Sequence, residues 1–230
     1  MRRSATRALM IGWLACAFAS CSSSKESEPD FVDPELPGRD ANPEGVPYPT
    51  DHLGGSARSG KRAGDRIPNF TFQAYVDGDR AAGLKTISLA DYYDPQRTRH
   101  RILHLEVAAV WCVICSSYAE ATVTAKEPLG KEGVVYLEVM IGGQSGSGAG
   151  PSLAEVDAWI ARHHANFTTA IDVRAKRLAG IGVPPQTMPW DLMIDTRTME
   201  ILDSKGGAPL DIVAYDRSFL ASVATRPPAY

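Results

Sequence analysis

Ile102-Leu103-His104-Leu105-Glu106-Val107-Ala108-Ala109-Val110-Trp111-Cys112-Val113-Ile114-Cys115 is the stretch on which the reading of this chain turns. Ile102 to Val110 is a near-continuous apolar run, the pattern of a central strand covered on both faces. The polar, helix-compatible Ser116-Ser117-Tyr118-Ala119-Glu120-Ala121 follows the cysteines. A strand that feeds a helix at a Cys-x-x-Cys places the first sulfur at a helix N-terminus. There the unpaired N–H groups and the helix dipole favour a thiolate over a thiol. The thiolate is the attacking species in disulfide exchange, and the second cysteine resolves the mixed disulfide. Cys112 is therefore the candidate nucleophile and Cys115 its resolving partner.

Two other uses of the pair compete. A structural zinc site usually needs four ligands, and the chain has no second Cys-x-x-Cys and no nearby His-x-x-x-His. His104 sits inside the apolar run, and the adjacent His163 and His164 point to different faces of one helix. No metal site is expected. A purely structural disulfide is the other alternative, but closing so short a loop constrains the unfolded chain little.

The chain has 230 residues, a formal net charge of -3 and 44% hydrophobic residues. That charge favours neither nucleic acid nor an anionic membrane surface. The length allows one good-sized domain plus tails. Residues 1–20 read as a signal peptide: a basic Met1-Arg2-Arg3-Ser4-Ala5-Thr6-Arg7, then an apolar Ala8 to Phe18, too short to span a bilayer comfortably. Phe18-Ala19-Ser20-Cys21 resembles a bacterial lipobox, which implies cleavage before Cys21 and lipidation of its sulfur. Phe18 departs from the usual Leu, and a plain secretory signal cut near Ala19 or Ser20 is the alternative. Of the four cysteines, Cys16 leaves with the signal and Cys21 carries the lipid. Cys112 and Cys115 then remain as the one thiol pair of a domain that faces an oxidising compartment.

Residues 21–63 are rich in Ser, Pro, Glu, Asp and Gly and show little apolar periodicity. Such a segment cannot bury enough apolar surface to offset its ordering entropy. It reads as a disordered tether, with an arm packed on the domain as the alternative. The folded domain is expected over residues 64–230. Ile67 to Tyr75 and Leu84 to Leu89 read as a strand pair around the Asp77-Gly78 turn, with a short helix after Ser88. A helix from Cys112 to about Lys126 is expected to end before Pro128. Val134 to Ile141 is a second buried strand. Ser152 caps a helix over Leu153 to His164, with Glu155 at the capping-box position. Phe167 to Val173 is a short strand and Ala175 to Ile181 a short helix. Pro189 to Asp195 and Met199 to Leu202 form a hairpin, and Ala208 to about Ala224 closes the chain as a helix. Alternating strands and helices with a terminal hairpin and helix indicate an α/β sandwich with a mixed sheet.

Three features together resemble the thioredoxin-like superfamily, in its exported TlpA-like/redoxin branch. Ile67-Pro68-Asn69-Phe70 is followed, after Gly78, by Ile87-Ser88-Leu89-Ala90-Asp91. Trp111-Cys112-Val113-Ile114-Cys115 ends a buried strand. Thr187-Met188-Pro189 precedes a strand ending Met193-Ile194-Asp195. The resemblance covers about residues 64 to 225 and implies a three-layer sandwich with a central mixed sheet and an N-terminal β-hairpin extension. It implies that Pro189 is a cis-proline facing the cysteines, which would leave the Met188 backbone free to bind an extended substrate strand. An ordinary strand-start proline is the alternative. Trp111, Met188 and Pro189 are thus the substrate-binding candidates. It also implies that Glu106, six residues before Cys112, is a buried carboxylate that handles the proton of the resolving cysteine. Burial would raise its pKa and suit it to proton transfer. The competing reading pairs a partly exposed Glu106 with Lys126 or Lys131. The Val113-Ile114 dipeptide lacks the proline common in the family and offers no charge to tune the thiolate.

The resemblance implies a membrane-tethered thiol–disulfide oxidoreductase in the bacterial cell envelope. Protein thiols or disulfides are its substrates, and an unidentified redox partner supplies electrons. No cofactor is implied. A peroxiredoxin-like peroxidase is one alternative, but its Pro-x-x-x-Thr-x-x-Cys pattern meets Leu105 and Ala109 here. A redox-inactive binding lipoprotein is another. If Cys21 is lipidated, Cys21→Ala leaves an uncleaved precursor or releases the domain in soluble form. Fractionation and intact mass of the product check this, and membrane attachment with a normally cleaved N-terminus would contradict it.

Overall fold

The computed structural model describes residues 31–35, 37–52, 63–146 and 148–227. The expected signal peptide, Cys21 and the first part of the expected tether lie outside the described residues. Strands β1 (Thr71–Tyr75), β2 (Lys85–Ser88), β3 (Ile102–Ala109), β4 (Val134–Gly142), β5 (Thr168–Ile171), β6 (Trp190–Asp195) and β7 (Glu200–Gly206) form one sheet in the order β2-β1-β5-β4-β3-β6-β7. β3, β4 and β5 are parallel, and the outer strands join antiparallel. The expected mixed sheet and N-terminal hairpin are both present.

The alternation within the strands builds two cores. Leu103, Leu105 and Val107 of β3 share one face with Leu137, Val139 and Ile141 of β4. Ile102 and Ala108 lie on the other face, with Tyr136 and Met140. Helices α1 (Val113–Glu132), α2 (Leu153–His163) and α3 (Ile212–Thr225) all cover this second face through Tyr118, Leu129, Trp159, Ile160 and Leu220. All eight residues of β3 are buried, which is why its sequence reads as an unbroken apolar run.

Among the described residues no α-helix covers the first face. A 3₁₀ turn at Leu89–Tyr92 and another at Leu178–Ile181 cover it instead, together with Ile67 and Tyr48. The expected short helix over Ala175 to Ile181 forms as 3₁₀ turns at Val173–Ala175 and Leu178–Ile181, anchored where the Asp172 carboxylate accepts the Arg177 and Leu178 amides.

Residues 37–52, placed by composition in a tether, pack on the domain. Tyr48 is buried, its hydroxyl donates to the Ile67 carbonyl at 2.7 Å, and its ring meets Tyr93 edge-on. Asn42 Nδ2 donates to the Tyr93 carbonyl at 3.1 Å. Upstream, the Phe31 amide donates to the Pro151 carbonyl, and Asp33 pairs with Arg177. A few well-placed side chains fasten a segment whose average composition is polar.

α1 runs through Pro128 to Glu132 instead of stopping before it. Pro128 removes only the amide that would donate to the Thr124 carbonyl, and both residues are on the exposed face. Water can serve that carbonyl, so the cost is small enough for buried Leu129 to carry the helix another turn. Gly133 then ends it at φ 102°, a left-handed cap that glycine adopts freely.

The packed arm yields a stability prediction. Tyr48→Phe strands the Ile67 carbonyl and costs about 1 kcal/mol. Tyr48→Ala costs about 3 kcal/mol, as for other large aromatic truncations. Urea midpoints check both, and wild-type midpoints would show that residues 37–52 do not support the fold.

Candidate active site

β3 ends at Ala109 and α1 begins at Val113, so Cys112 is the N-cap between them. The Cys112 backbone is extended, and its sulfur accepts the Cys115 amide at 3.1 Å. That is the arrangement in which a helix N-terminus stabilises negative charge on sulfur. Cys112 and Cys115 are joined as a disulfide with Cα atoms 5.2 Å apart. Cys115 is 0% exposed and Cys112 4%. Between them Val113 and Ile114 are 80% and 58% exposed, an unusual position for two aliphatic side chains.

The rim around the disulfide is apolar. The Trp111 indole lies over Gly142, where a Cβ would come within 3.0 Å of its nitrogen. Gly142 therefore makes room for the aromatic that precedes Cys112. The Met188–Pro189 peptide is cis. β6 pairs antiparallel with β3 so that Trp190 lies opposite Val107. Met188 and Pro189 therefore sit level with the last residues of β3, at the end that carries the cysteines. Met188 packs against the cluster that contains Cys112 and Cys115. A Cβ at Gly206 would meet Thr187 at 2.9 Å, so that glycine lets the segment lie close against β7.

Glu106 faces the same core as the cysteines, below the start of α1. It is 4% exposed, and its Oε1 has no hydrogen-bond partner. Neither lysine considered for it comes near: Lys126 pairs with Asp77 and Lys131 with Glu127. Burial, then the negative charges of Glu138 and Asp191, hold its carboxyl well above the usual range.

Sequence reading missed the polar layer that surrounds it. His104, one inward-facing position below Glu106, has Nε2 3.3 Å from Asp191 Oδ1 and 3.0 Å from the Tyr118 hydroxyl. Its Nδ1 is in ion-pair contact with Asp216 at 2.8 Å. Tyr136 donates to the other Asp216 oxygen. One imidazole thus ties β3 to β6, α1 and α3. His104 and Asp191 each interrupt an apolar stretch, and that is the sequence signal that could have found them; Tyr118 and Asp216 lie in mixed helix sequence and carry no such signal.

The layer makes stability depend on pH. Burial alone would lower the His104 pKa, but Asp216 and Asp191 outweigh it and raise it from 6.5 to about 9. A histidine raised in this way stabilises the fold fully below the unfolded pKa, and the contribution is lost as pH rises through the folded pKa. Between pH 6.5 and about 9 the urea midpoint of the oxidised protein therefore falls, and His104→Gln flattens that fall. A midpoint that climbs over this window in the wild type would contradict the assignment.

No family model and no curated protein matches the sequence. Solved structures do match in shape. A candidate thiol:disulfide interchange protein DsbE from Chlorobium tepidum aligns with a TM-score of 0.53 at 20% identity, covering 70% of this chain and 97% of that one. The thioredoxin domain of a thiol-disulfide oxidoreductase from Bacteroides vulgatus gives 0.53 at 11%, covering 69% and 97%. The AhpC protein of Mycobacterium tuberculosis gives 0.53 at 14%, covering 71% and 93%. At these identities the likeness is one of fold, and the fold is thioredoxin-like.

Proposed function

We propose that this protein is a membrane-tethered thiol–disulfide oxidoreductase of the bacterial cell envelope, anchored through lipid on Cys21. The observation that carries the reading is the Cys112–Cys115 disulfide at the N-terminus of α1, with the Cys115 amide on Cys112 Sγ. In the reduced state the Cys112 thiolate attacks a substrate disulfide. A bond forms between Cys112 and one substrate sulfur, and the other leaves as a thiolate that takes a proton. Cys115 then gives its proton to the buried carboxyl layer at Glu106, and its thiolate attacks Cys112. The internal disulfide re-forms, the second substrate thiolate leaves, and two electrons have passed to the substrate. A separate redox partner returns the pair to the dithiol.

Trp111, Met188 and Pro189 form the substrate platform, to which exposed Val113 and Ile114 add apolar contact. Substrates are therefore protein thiols or disulfides with apolar surroundings, and no nucleic acid is involved. The AhpC likeness keeps a peroxidase as the second reading. Against it, buried Leu105 and Ala109 stand where such a site needs a proline and a hydroxyl.

Insulin reduction with dithiothreitol tests the proposal. Wild-type protein accelerates it, and Cys112→Ser abolishes the acceleration. Cys115→Ser traps a mixed disulfide at Cys112. Because the Cys112 thiolate is favoured, iodoacetamide labels reduced Cys112 about tenfold faster than Cys115 at neutral pH. Peroxide consumption without insulin turnover would replace this reading with the peroxidase, and neither activity would leave a binding protein.

A further inference from the structure

Glu106 is the middle carboxyl of a row of three. In the sheet register it stands beside Glu138 of β4 and beside Asp191 of β6. Neighbouring strands lie about 4.8 Å apart, and like charges so close in a buried layer cannot all ionise. The two outer members are equipped to be anions. Asp191 faces His104. Glu138 accepts Trp159 Nε1 on both oxygens at 3.1 Å and the Thr169 hydroxyl at 3.2 Å. Glu106 has no such donors, and its Oε1 is an orphan. The gap among His104, Glu106, Thr122, Tyr136 and Glu138 leaves no room for a water molecule. A proton on Glu106 itself resolves the conflict, because a neutral carboxyl leaves no unpaired charge in the layer.

We propose that Glu106 and Glu138 share one buried proton, and that Glu138 is the positioning residue that keeps it on Glu106 in the resting protein. The use of this pair rests on the oxidoreductase reading, but its existence does not. When Cys115 gives up its proton, Glu106 passes its own to Glu138 and takes the new one. The pair goes from one proton and one negative charge to two protons and none, the negative charge passes to the Cys115 thiolate, and the extra proton returns when Cys115 becomes a thiol again.

The other titratable groups that face this layer are committed elsewhere. Tyr118 of α1 meets His104, and Asp216 of α3 holds His104 and the Tyr136 hydroxyl of β4. Tyr215 of α3 donates to Asp203. His163 of α2 lies against the Trp159 ring and faces Glu120. Burial, opposed by the Trp159 and Thr169 donors, lifts Glu138 to about 7, and burial beside Glu138 and Asp191 holds Glu106 well above the usual carboxyl range.

Infrared difference spectroscopy of the full chain against pH reads the proton directly, with insulin turnover run in parallel. A protonated-carboxyl band is expected at neutral pH in the wild type and is absent in Glu106→Gln. Glu138→Gln removes the neighbouring negative charge and lowers the band's titration midpoint by about one pH unit or more. Trp159→Phe removes a donor from Glu138 and raises the midpoint, a shift of opposite sign that a general loss of packing would not produce. A wild-type protein without the band at neutral pH overturns the proposal, as does an unmoved midpoint in folded Glu138→Gln. A band without insulin turnover keeps the shared proton and sinks the oxidoreductase reading. Turnover without a band does the reverse.

Discussion

The Cys115 amide can point at the Cys112 sulfur only if a strand ends and a helix begins within a few residues of each other. β3 stops at Ala109 and α1 starts at Val113, which meets that demand. β3 is buried on both faces and paired on both edges, so its end is fixed in space. Trp111 and Met188 take their places around the sulfur pair from that fixed point. The helix-terminal field needs no flexible loop and no charged neighbour, which accounts for a Val113-Ile114 dipeptide with no ionisable group.

The same strand imposes a cost. Facing α1 with His104 and Glu106 places two ionisable groups in a water-poor layer, where an unpaired charge is expensive. The neighbouring strands answer with Glu138 and Asp191 and helix α3 with Asp216, which leaves four carboxyls and one imidazole in the layer. Stability would be better served by apolar residues of similar size. The place of these ionisable groups beneath the Cys112–Cys115 disulfide is what the proposed proton transfer requires. The opposite face is covered by 3₁₀ turns and the arm containing Tyr48.

Most of the fold was legible because double burial writes itself as apolar runs, as at Ile102–Val110 and Val134–Ile141. The capping box at Ser152 and Glu155 was equally legible, since a cap is a local event. Pro128 misled because local sequence does not say that its partner carbonyl faces solvent. The arm misled because scattered residues, Asn42 and Tyr48 among them, do the packing within a polar composition. At the site, Cys112, Cys115 and Glu106 were readable from one segment. The partners of Glu106 were not, because the pairing of β3 with β4 and β6 is written nowhere along β3 itself.

We propose Cys112–Cys115 as a working redox couple whose protons are managed by the carboxyl layer beneath it. The most direct measurement is its midpoint potential across pH in wild type and Glu106→Gln. A two-electron, two-proton couple falls by about 59 mV per pH unit. The account predicts a reversible couple in both proteins, with a difference between their potentials that changes as pH passes through neutrality. A constant difference at every pH, or no reversible couple in the wild type, would contradict it.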